Sequence, residues 1–439
     1  MKTIPYKFLI AGKMYLMLMM IMLIGTVSYA QQENTEGIKF PTKFYPILPW
    51  DFIDSGDSLK DIADCNFNIA GFIRPYDIHR VEKLHLKAIM NIYFFRNDTE
   101  PLPWLWRNLS DEEIDRKVKM LIDSSGNSDA IIGYFLMDEP STLDFSALGK
   151  AVAAVKKYAP GKLAYINLFP NYGTFSTSEQ IVSQLGAKTY TEYLERYVNE
   201  VKPQFISYDN YGVQLSMDLK DKKNVSYYTN LMDVRRIALK YNLPYWNIVS
   251  SNQIDHITTI PSLPNMLFQA YTSLAAGCDG ISWYKYTYLS AYEYSPIDNE
   301  QNKTLSWYYL KEVNRQISTL GPIMNQLTST GVYFTSPASD SSLSLLPGKV
   351  VESVQSDGPM MIGEFVNDIG TRYIMIVNLS LERSVKFTFS TKTAQEKTWV
   401  ISATKDGPLM PIMKRRDMDD HKNGLWLTAG EGVLIKVGD

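Results

Sequence analysis

From residue 44 onward the chain alternates short, almost continuous apolar runs with longer stretches of helical periodicity. The apolar runs are "FYPILPWDF" (44–52), "FNIAGFIRP" (67–75), "LKAIMNIYFF" (86–95), "AIIGYFLMDEP" (130–140), "KLAYINLFP" (162–170), "QFISYDNYG" (204–212), "PYWNIVSS" (244–251) and "DGISWYKY" (279–286). Between them fall helical patterns. "SDEEIDRKVKMLIDSS" places Ser110 and Glu113 at capping-box spacing, while "FSALGKAVAAVKKYAP" and "TYTEYLERYVNEVKP" each end at a proline. Strands without polar alternation, separated by helices, predict a parallel sheet covered on its outer face. Eight such units over roughly 250 residues predict a (β/α)8 TIM barrel. A doubly wound open sheet is the alternative, but it usually has fewer units, and no Gly-rich phosphate turn follows any strand.

After the helical stretch "TLSWYYLKEVNRQISTLGPIMNQL" (304–327) the period shortens to two. "GVYFTS", "VVESVQ", "MMIGEFVND", "TRYIMIVNLS", "SVKFTFST", "KTWVISA", "GLWLTA" and "GVLIKVG" are separated by Gly, Asn, Asp and Ser turns. That texture predicts a C-terminal antiparallel β-sandwich that caps or steadies the barrel, with glycan binding as a second role. At the other end, Lys2, Lys7 and Lys13 accompany the apolar run "MYLMLMMIMLIGTV", and "SYA" offers a small-residue cleavage site before Gln31. The run is short for a membrane span. The expected layout is therefore a signal peptide over 1–30, a barrel over 31–327 and a sandwich over 328–439. The mature protein is expected in the periplasm or outside a bacterial cell, with no membrane association after cleavage.

Composition narrows the chemistry. The net charge of −3 offers no basic surplus, so nucleic acid is not an expected partner. The 29 Tyr and 8 Trp supply rings that can stack on sugar faces, although a large core uses them as well. His79, His85, His256 and His421 are scattered without metal-ligand spacing, so neither a metal nor a cofactor is expected. Cys65 and Cys278 allow one bridge at most.

In such barrels chemistry sits at the carboxyl ends of the strands. Those ends offer Trp50 and Asp51, Arg74, Asn91 and Tyr93, Asp138 and Glu139, Asn167, then Tyr208, Asp209 and Tyr211. Asn247, Ser250 and Asn252 follow on the seventh strand, and Trp283, Tyr284 and Lys285 on the eighth. Carboxylates, amides and aromatics, with neither a Ser-His-Asp set nor a phosphate loop, suit sugar hydroxyls. Asp51, Arg74, Asn91, Asn167, Tyr208, Tyr211, Trp283 and Tyr284 are the candidate substrate-binding residues, each with barrel-mouth packing as the competing role. For Lys285 a structural salt bridge is the expected role, ahead of contact with an acidic sugar.

Asp138, Glu139 and Asp209 are the candidate catalytic residues. Glycoside hydrolysis commonly uses two carboxyl groups, one held protonated and one ionised. An ionised Asp138 would push the pKa of Glu139 toward that of a general acid. Asp209 is a second carboxylate two strands away, on the order of 10 Å at the backbone given ~4.8 Å between neighbouring strands. Its carboxyl could then stand at either the retaining (about 5 Å) or the inverting (about 8 Å) separation from Glu139. Hydroxyl recognition is the other role open to it.

"GYFLMDEP" resembles the Asn-Glu-Pro signature of the large clan of retaining barrel glycosidases, with Asp in place of Asn. The resemblance implies that Glu139 is the general acid/base. The clan draws its nucleophile from a Glu ending strand seven, where "PYWNIVSSNQI" has none. The Asp-Glu pair is also similar to that of the hexosaminidases of families 20 and 123. There the Asp orients the substrate's acetamido group, which attacks, and the Glu is the acid/base. "SYDNYG" and "SWYKY" resemble the sugar-gripping strand ends of chitinase-like barrels, without a DxxDxDxE or Gly-Gly-Asp-Glu run. The order "DEP…YINLFPNY…YD.Y…QAY.SLA.G..GI.WY", covering most of 40–290, resembles a group of secreted bacterial glycoside-hydrolase-like barrel proteins. Two functions are carried forward: a secreted glycoside hydrolase acting on a poly- or oligosaccharide, and a non-catalytic carbohydrate-binding barrel lacking the strand-seven nucleophile.

Overall fold

The structure, a computed structural model, describes residues 37–53, 56–91, 106–175, 184–212, 222–254, 259–289, 292–335, 343–393, 397–403, 409–411 and 424–438. The leader expected over 1–30, Tyr93, His256 and His421 lie outside the described residues. Eight parallel strands form one sheet: β1 Ile47–Pro49, β2 Ile69–Ile73, β3 Lys87–Asn91, β4 Ile131–Asp138, β5 Leu163–Leu168, β6 Ile206–Asp209, β7 Tyr245–Ser250 and β8 Gly280–Tyr284. From β2 to β8 each strand pairs with the next in sequence, and β8 pairs with β1. The remaining seam, between β1 and β2, is bridged by Asn68 N–H to the Ile47 carbonyl (3.3 Å) and Phe72 N–H to the Asp51 carbonyl (2.9 Å). The sheet thus curls into a barrel.

The helices that cover it are α1 Gly56–Asp64, α2 Ile78–Lys83, α3 Asp111–Ser125, α4 Phe145–Tyr158, α5 Tyr190–Arg196, α6 Lys222–Tyr241, α7 Leu263–Ala276 and α8 Leu305–Met324. Helix α3 starts where its sequence says it should. Ser110 accepts from the Glu113 N–H, and the Glu113 carboxylate accepts from the Ser110 N–H, so two otherwise orphaned donors are satisfied.

Strand geometry sorts side chains by period two. Leu48, Trp50, Ile69, Phe72, Ile89, Phe135, Leu163, Tyr165, Phe205, Trp246 and Ile248 fill the barrel interior. Aromatic contacts dominate that core, with Phe72 stacked on Phe135 (4.2 Å) and Tyr165 on Phe205 (5.1 Å). Their strand neighbours, such as Ala88, Met90, Tyr134, Ile166, Tyr208 and Trp283, pack outward in the layer between strands and helices.

The chain beyond α8 forms two antiparallel sheets. The larger is ordered Leu327–Phe334, Met360–Asn367, Arg372–Asn378, Gly432–Val437, Thr398–Ile401, Leu409–Pro411; the smaller is Val351–Ser356, Val385–Thr391, Leu425–Leu427. Val351, Ile362, Ile374, Ile376, Phe387 and Ile435 interdigitate between them as a sandwich core. The opposite face of the larger sheet carries Met361, Phe365, Met375 and Leu434 into the core that includes α7. Helix α7 is buried from Asn265 to Ala276, which explains why it is apolar nearly all round. A Cβ at Gly363 would collide with the Ala275 carbonyl, so the sheet lies against the helix backbone. Cys65 and Cys278 are buried free thiols. Among the described residues no helix is long and apolar enough to cross a membrane.

Candidate active site

Three carboxyl groups meet at the carboxyl end of the barrel: Asp138 and Glu139 from the end of β4, and Asp209 from the end of β6. Two local features of β4 make this happen. The ladder with β5 slips between Phe135 and Met137. As a result Leu136 and Met137 both pack outward, and the alternation restarts with Asp138 beside Asn167. A β-bulge of this kind re-aims every later side chain on the strand. Next, Glu139 adopts φ 44°, a left-handed conformation uncommon for a residue with a side chain. The following Pro140 makes it more so, because proline biases its predecessor toward extended backbone. Consecutive strand residues normally face opposite ways, and this turn places the Glu139 carboxyl on the same side as Asp138. The turn is held by Glu139 N–H to the Asn167 carbonyl (2.9 Å) and by the buried Tyr193 hydroxyl, which donates to the Pro140 carbonyl (2.7 Å).

Asn167 links the cluster. Its Nδ2 donates to Asp138 Oδ1 (3.0 Å) and to Asp209 Oδ1 (2.8 Å), and its Oδ1 accepts from the Ser207 hydroxyl (3.1 Å). Asp209 also hydrogen-bonds the Glu139 carboxyl. Two carboxyls can share a hydrogen bond only when one carries a proton. Burial, followed by the negative charges of Asp209 and Asp138, pushes the Glu139 carboxyl well up, making it the protonated partner. Burial and Asp138 also raise Asp209, against the opposing hydrogen bonds from Asn167 and Glu139. Asp138 is open to solvent at the mouth but ringed by protein, and loss of water pushes its carboxyl up to about 6. Among the described residues none of the three has an ion-pair partner.

Aromatic groups stand beside the carboxyls. Tyr211 and Tyr284 stack with centroids 5.2 Å apart. The Tyr284–Lys285 peptide is cis. Tyr172, which sequence reasoning missed, is 39% exposed in the 3-10 turn Asn171–Phe175 after β5. Its hydroxyl accepts from the Tyr211 backbone N–H, and burial of that hydroxyl and the nearby Asp209 and Glu139 raise its pKa. The available signal was an aromatic following the Pro170 that ends the fifth strand.

Several sequence expectations are corrected. Trp283 is fully buried and points away from the mouth, donating its indole N–H to Asn314 Oδ1 on α8 (2.9 Å), so it cannot stack on a sugar. Tyr208 is likewise fully buried on the outer face of β6. Both assignments ignored the alternation of the strands: Tyr284 and Asp209 face inward, so their immediate predecessors face outward. Asn167 is buried, and both its amide hydrogens go to protein carboxylates while its oxygen accepts from Ser207, so it organises the carboxyls and has no donor left for a sugar hydroxyl. Asp51 is buried and bound to Lys285 Nζ (2.6 Å), Thr287 N–H (2.7 Å) and the Thr287 hydroxyl, so it anchors the loop after β8. Lys285 accordingly forms a structural salt bridge. Arg74 lies over the Tyr76 ring (4.6 Å) with its Nε 3.7 Å from Asp77. Asn91 is buried at the end of β3, in register with Phe135. At the end of β7, Ser250 is buried, with its N–H donating to Gln269 Oε1 (2.8 Å) and its hydroxyl to the Asn252 carbonyl (3.0 Å). Asn247 faces outward, bonding Ser273 (3.0 Å).

No family model and no curated protein matches the chain. Among solved structures it is similar to a glycoside hydrolase family 5 protein from Bacteroides vulgatus, with TM-score 0.54 and 13% identity over 90% of each chain. It is also similar to another glycoside hydrolase, with TM-score 0.55 and 12% identity over 92% of this chain and 97% of that one. At such identities the likeness establishes the shared fold across barrel and sandwich together.

Proposed function

We propose that this chain is an exported glycoside hydrolase in which Glu139 is the general acid toward the glycosidic oxygen. The observation that carries the proposal is the meeting of Glu139, Asp209 and Asp138 at the barrel mouth, tied together through Asn167, where burial and the neighbouring carboxylates raise the Glu139 carboxyl. A carboxylic acid kept neutral near pH 7 by burial and like charges is what proton donation to a leaving group requires. The glycoside hydrolase fold of the similar structures supports a carbohydrate substrate. The Tyr211–Tyr284 pair and Tyr172 supply rings for sugar faces beside the acid.

The second chemical group follows from what stands opposite. Ser250, engaged by Gln269 and Asn252, occupies the end of β7, so a strand-seven carboxylate nucleophile has no source there. The Glu139 and Asp209 carboxyls interact directly with each other, whereas retaining and inverting pairs stand about 5 or about 8 Å apart across the reacting carbon. These points favour attack by a group of the substrate itself, with ionised Asp138 orienting it, in keeping with the resemblance to hexosaminidases. The same Ser250 observation supports the second reading, a barrel that binds glycans without cleaving them.

The test is a screen of aryl glycosides, including 2-acetamido-2-deoxy sugars, and of bacterial and plant polysaccharides with wild type and Glu139→Gln. Turnover falling about 10²–10⁴-fold in Glu139→Gln supports the acid role. Undiminished turnover overturns that role. Binding without turnover across the panel establishes the second reading instead.

A further inference from the structure

The three carboxyls of the mouth receive unequal help from the protein, and one side chain serves two of them at once. Asn167, Ser207 and Asp209 are nearly or fully buried, so their hydrogen bonds are not exchanged with bulk water. The Asn167 carbonyl oxygen can only accept, so the bond of 3.1 Å from Ser207 fixes the direction of the serine proton. The serine oxygen then accepts from the Tyr165 hydroxyl, 3.1 Å away, which must donate. The chain runs one way: Tyr165 to Ser207, Ser207 to Asn167, and the two amide hydrogens of Asn167 to Asp138 and Asp209. A flipped amide would set its oxygen against two carboxylates, so the carboxylates fix its orientation, and the hydroxyls of Ser207 and Tyr165 turn to match it.

We propose that Asn167 is a positioning residue that assigns the shared proton of the cluster to Glu139, by donating one hydrogen bond each to Asp138 and Asp209. A hydrogen bond to an ionised carboxylate favours the ionised form. Asp138 and Asp209 each receive one from Asn167, while the Glu139 carboxyl is bonded to Asp209. The proton therefore resides where no amide donor competes with it. Asn167 also holds the two aspartates apart by occupying the space between β4 and β6. The inference rests on the acid role proposed for Glu139, but its test reads proton location directly and needs no substrate.

The test follows carboxyl carbon resonances of the full chain, labelled at Asp and Glu, through a pH titration of wild type, Asn167→Leu and Ser207→Ala. Circular dichroism establishes that each variant is folded. Asn167→Leu keeps the volume and removes both donors. A lost hydrogen bond to a charged group is worth roughly one to two pH units, so the midpoints of Asp138 and Asp209 should rise by about that much. Ser207→Ala frees the amide to turn and should raise the same two midpoints by less. Unchanged midpoints in a folded Asn167→Leu overturn the inference; if that variant does not fold, Ser207→Ala decides by the same criterion. A wild-type titration with the last proton on Asp209 or Asp138 also overturns it. The two proposals fail separately: an inactive chain with shifted midpoints retains the Asn167 role, and an active chain with unmoved midpoints loses it.

Discussion

The Glu139 carboxyl is hydrogen-bonded to Asp209, although the two residues belong to strands separated by β5. The bulge at Leu136 and the left-handed turn at Glu139 bring one partner to the mouth, and plain strand alternation on β6 brings the other. A non-glycine residue held at positive φ costs about 1–3 kcal/mol and persists where its surroundings over-determine it. Here Tyr193 and Asn167 are those surroundings.

Asp209→Asn removes a charge that keeps Glu139 protonated. The pKa of Glu139 should fall, and the alkaline limb of the kcat/KM profile should move to lower pH. The profile of the variant against wild type, on whichever glycoside the screen identifies, checks this. An unmoved alkaline limb would show that some other group holds the transferable proton.

The same raised carboxyls make stability depend on pH. The folded pKa of Asp138 is about 6, above that of an unfolded aspartate at about 4. Between those values the folded state binds more protons than the unfolded state, so this group's contribution to stability falls as pH rises through the window. Asp138→Asn abolishes the titration and keeps an acceptor for Asn167. It should therefore melt higher than wild type at pH 7 and gain less at pH 4, as read by calorimetry at both values. An equal gain at the two pH values would contradict the link.

The architecture was legible because each barrel strand is apolar on both faces and each helix carries its own period; the capping box at Ser110 even located the start of α3. The mouth was legible where alternation is simple, as for Asp209. At β4 the two residues were legible but their common facing was not, because a bulge has no sequence signature in "GYFLMDEP", and a regular strand would have pointed Asp138 and Glu139 to opposite sides. Neighbours such as Tyr208 and Trp283 were drawn into the site only because their sequence positions touch it. Tyr172 escaped notice because a 3-10 turn, lying beyond the strand end, carries it back over the carboxyls.

That distinction separates two aromatic substitutions. Trp283→Ala empties a fully buried site and leaves Asn314 Oδ1 without its donor, so it should destabilise the fold by about 3–5 kcal/mol. Tyr211→Ala removes one ring of the mouth pair and should raise KM with a smaller loss of stability. Denaturant unfolding and steady-state kinetics on both variants check the pair. A KM effect confined to Trp283→Ala would reverse the assignment of faces.

The sandwich offers a prediction independent of the mouth. Glu364, fully buried on strand Met360–Asn367, accepts from the backbone N–H groups of Lys349 (2.9 Å), Val350 (2.9 Å) and Val351 (2.8 Å). These bonds tie the segment entering strand Val351–Ser356 to the larger sheet, and Gly348 leaves the space the carboxylate fills. Glu364→Gln keeps the shape but turns one acceptor oxygen into a donor facing a backbone N–H. One buried donor then loses its partner, at about 1–3 kcal/mol. Urea unfolding should show that loss, while any kcat the screen measures for wild type is kept by the folded variant, because the substitution lies outside the barrel. A variant as stable as wild type would mean that water or a backbone shift replaces the lost bond, and that Glu364 is not what holds the two sheets in register.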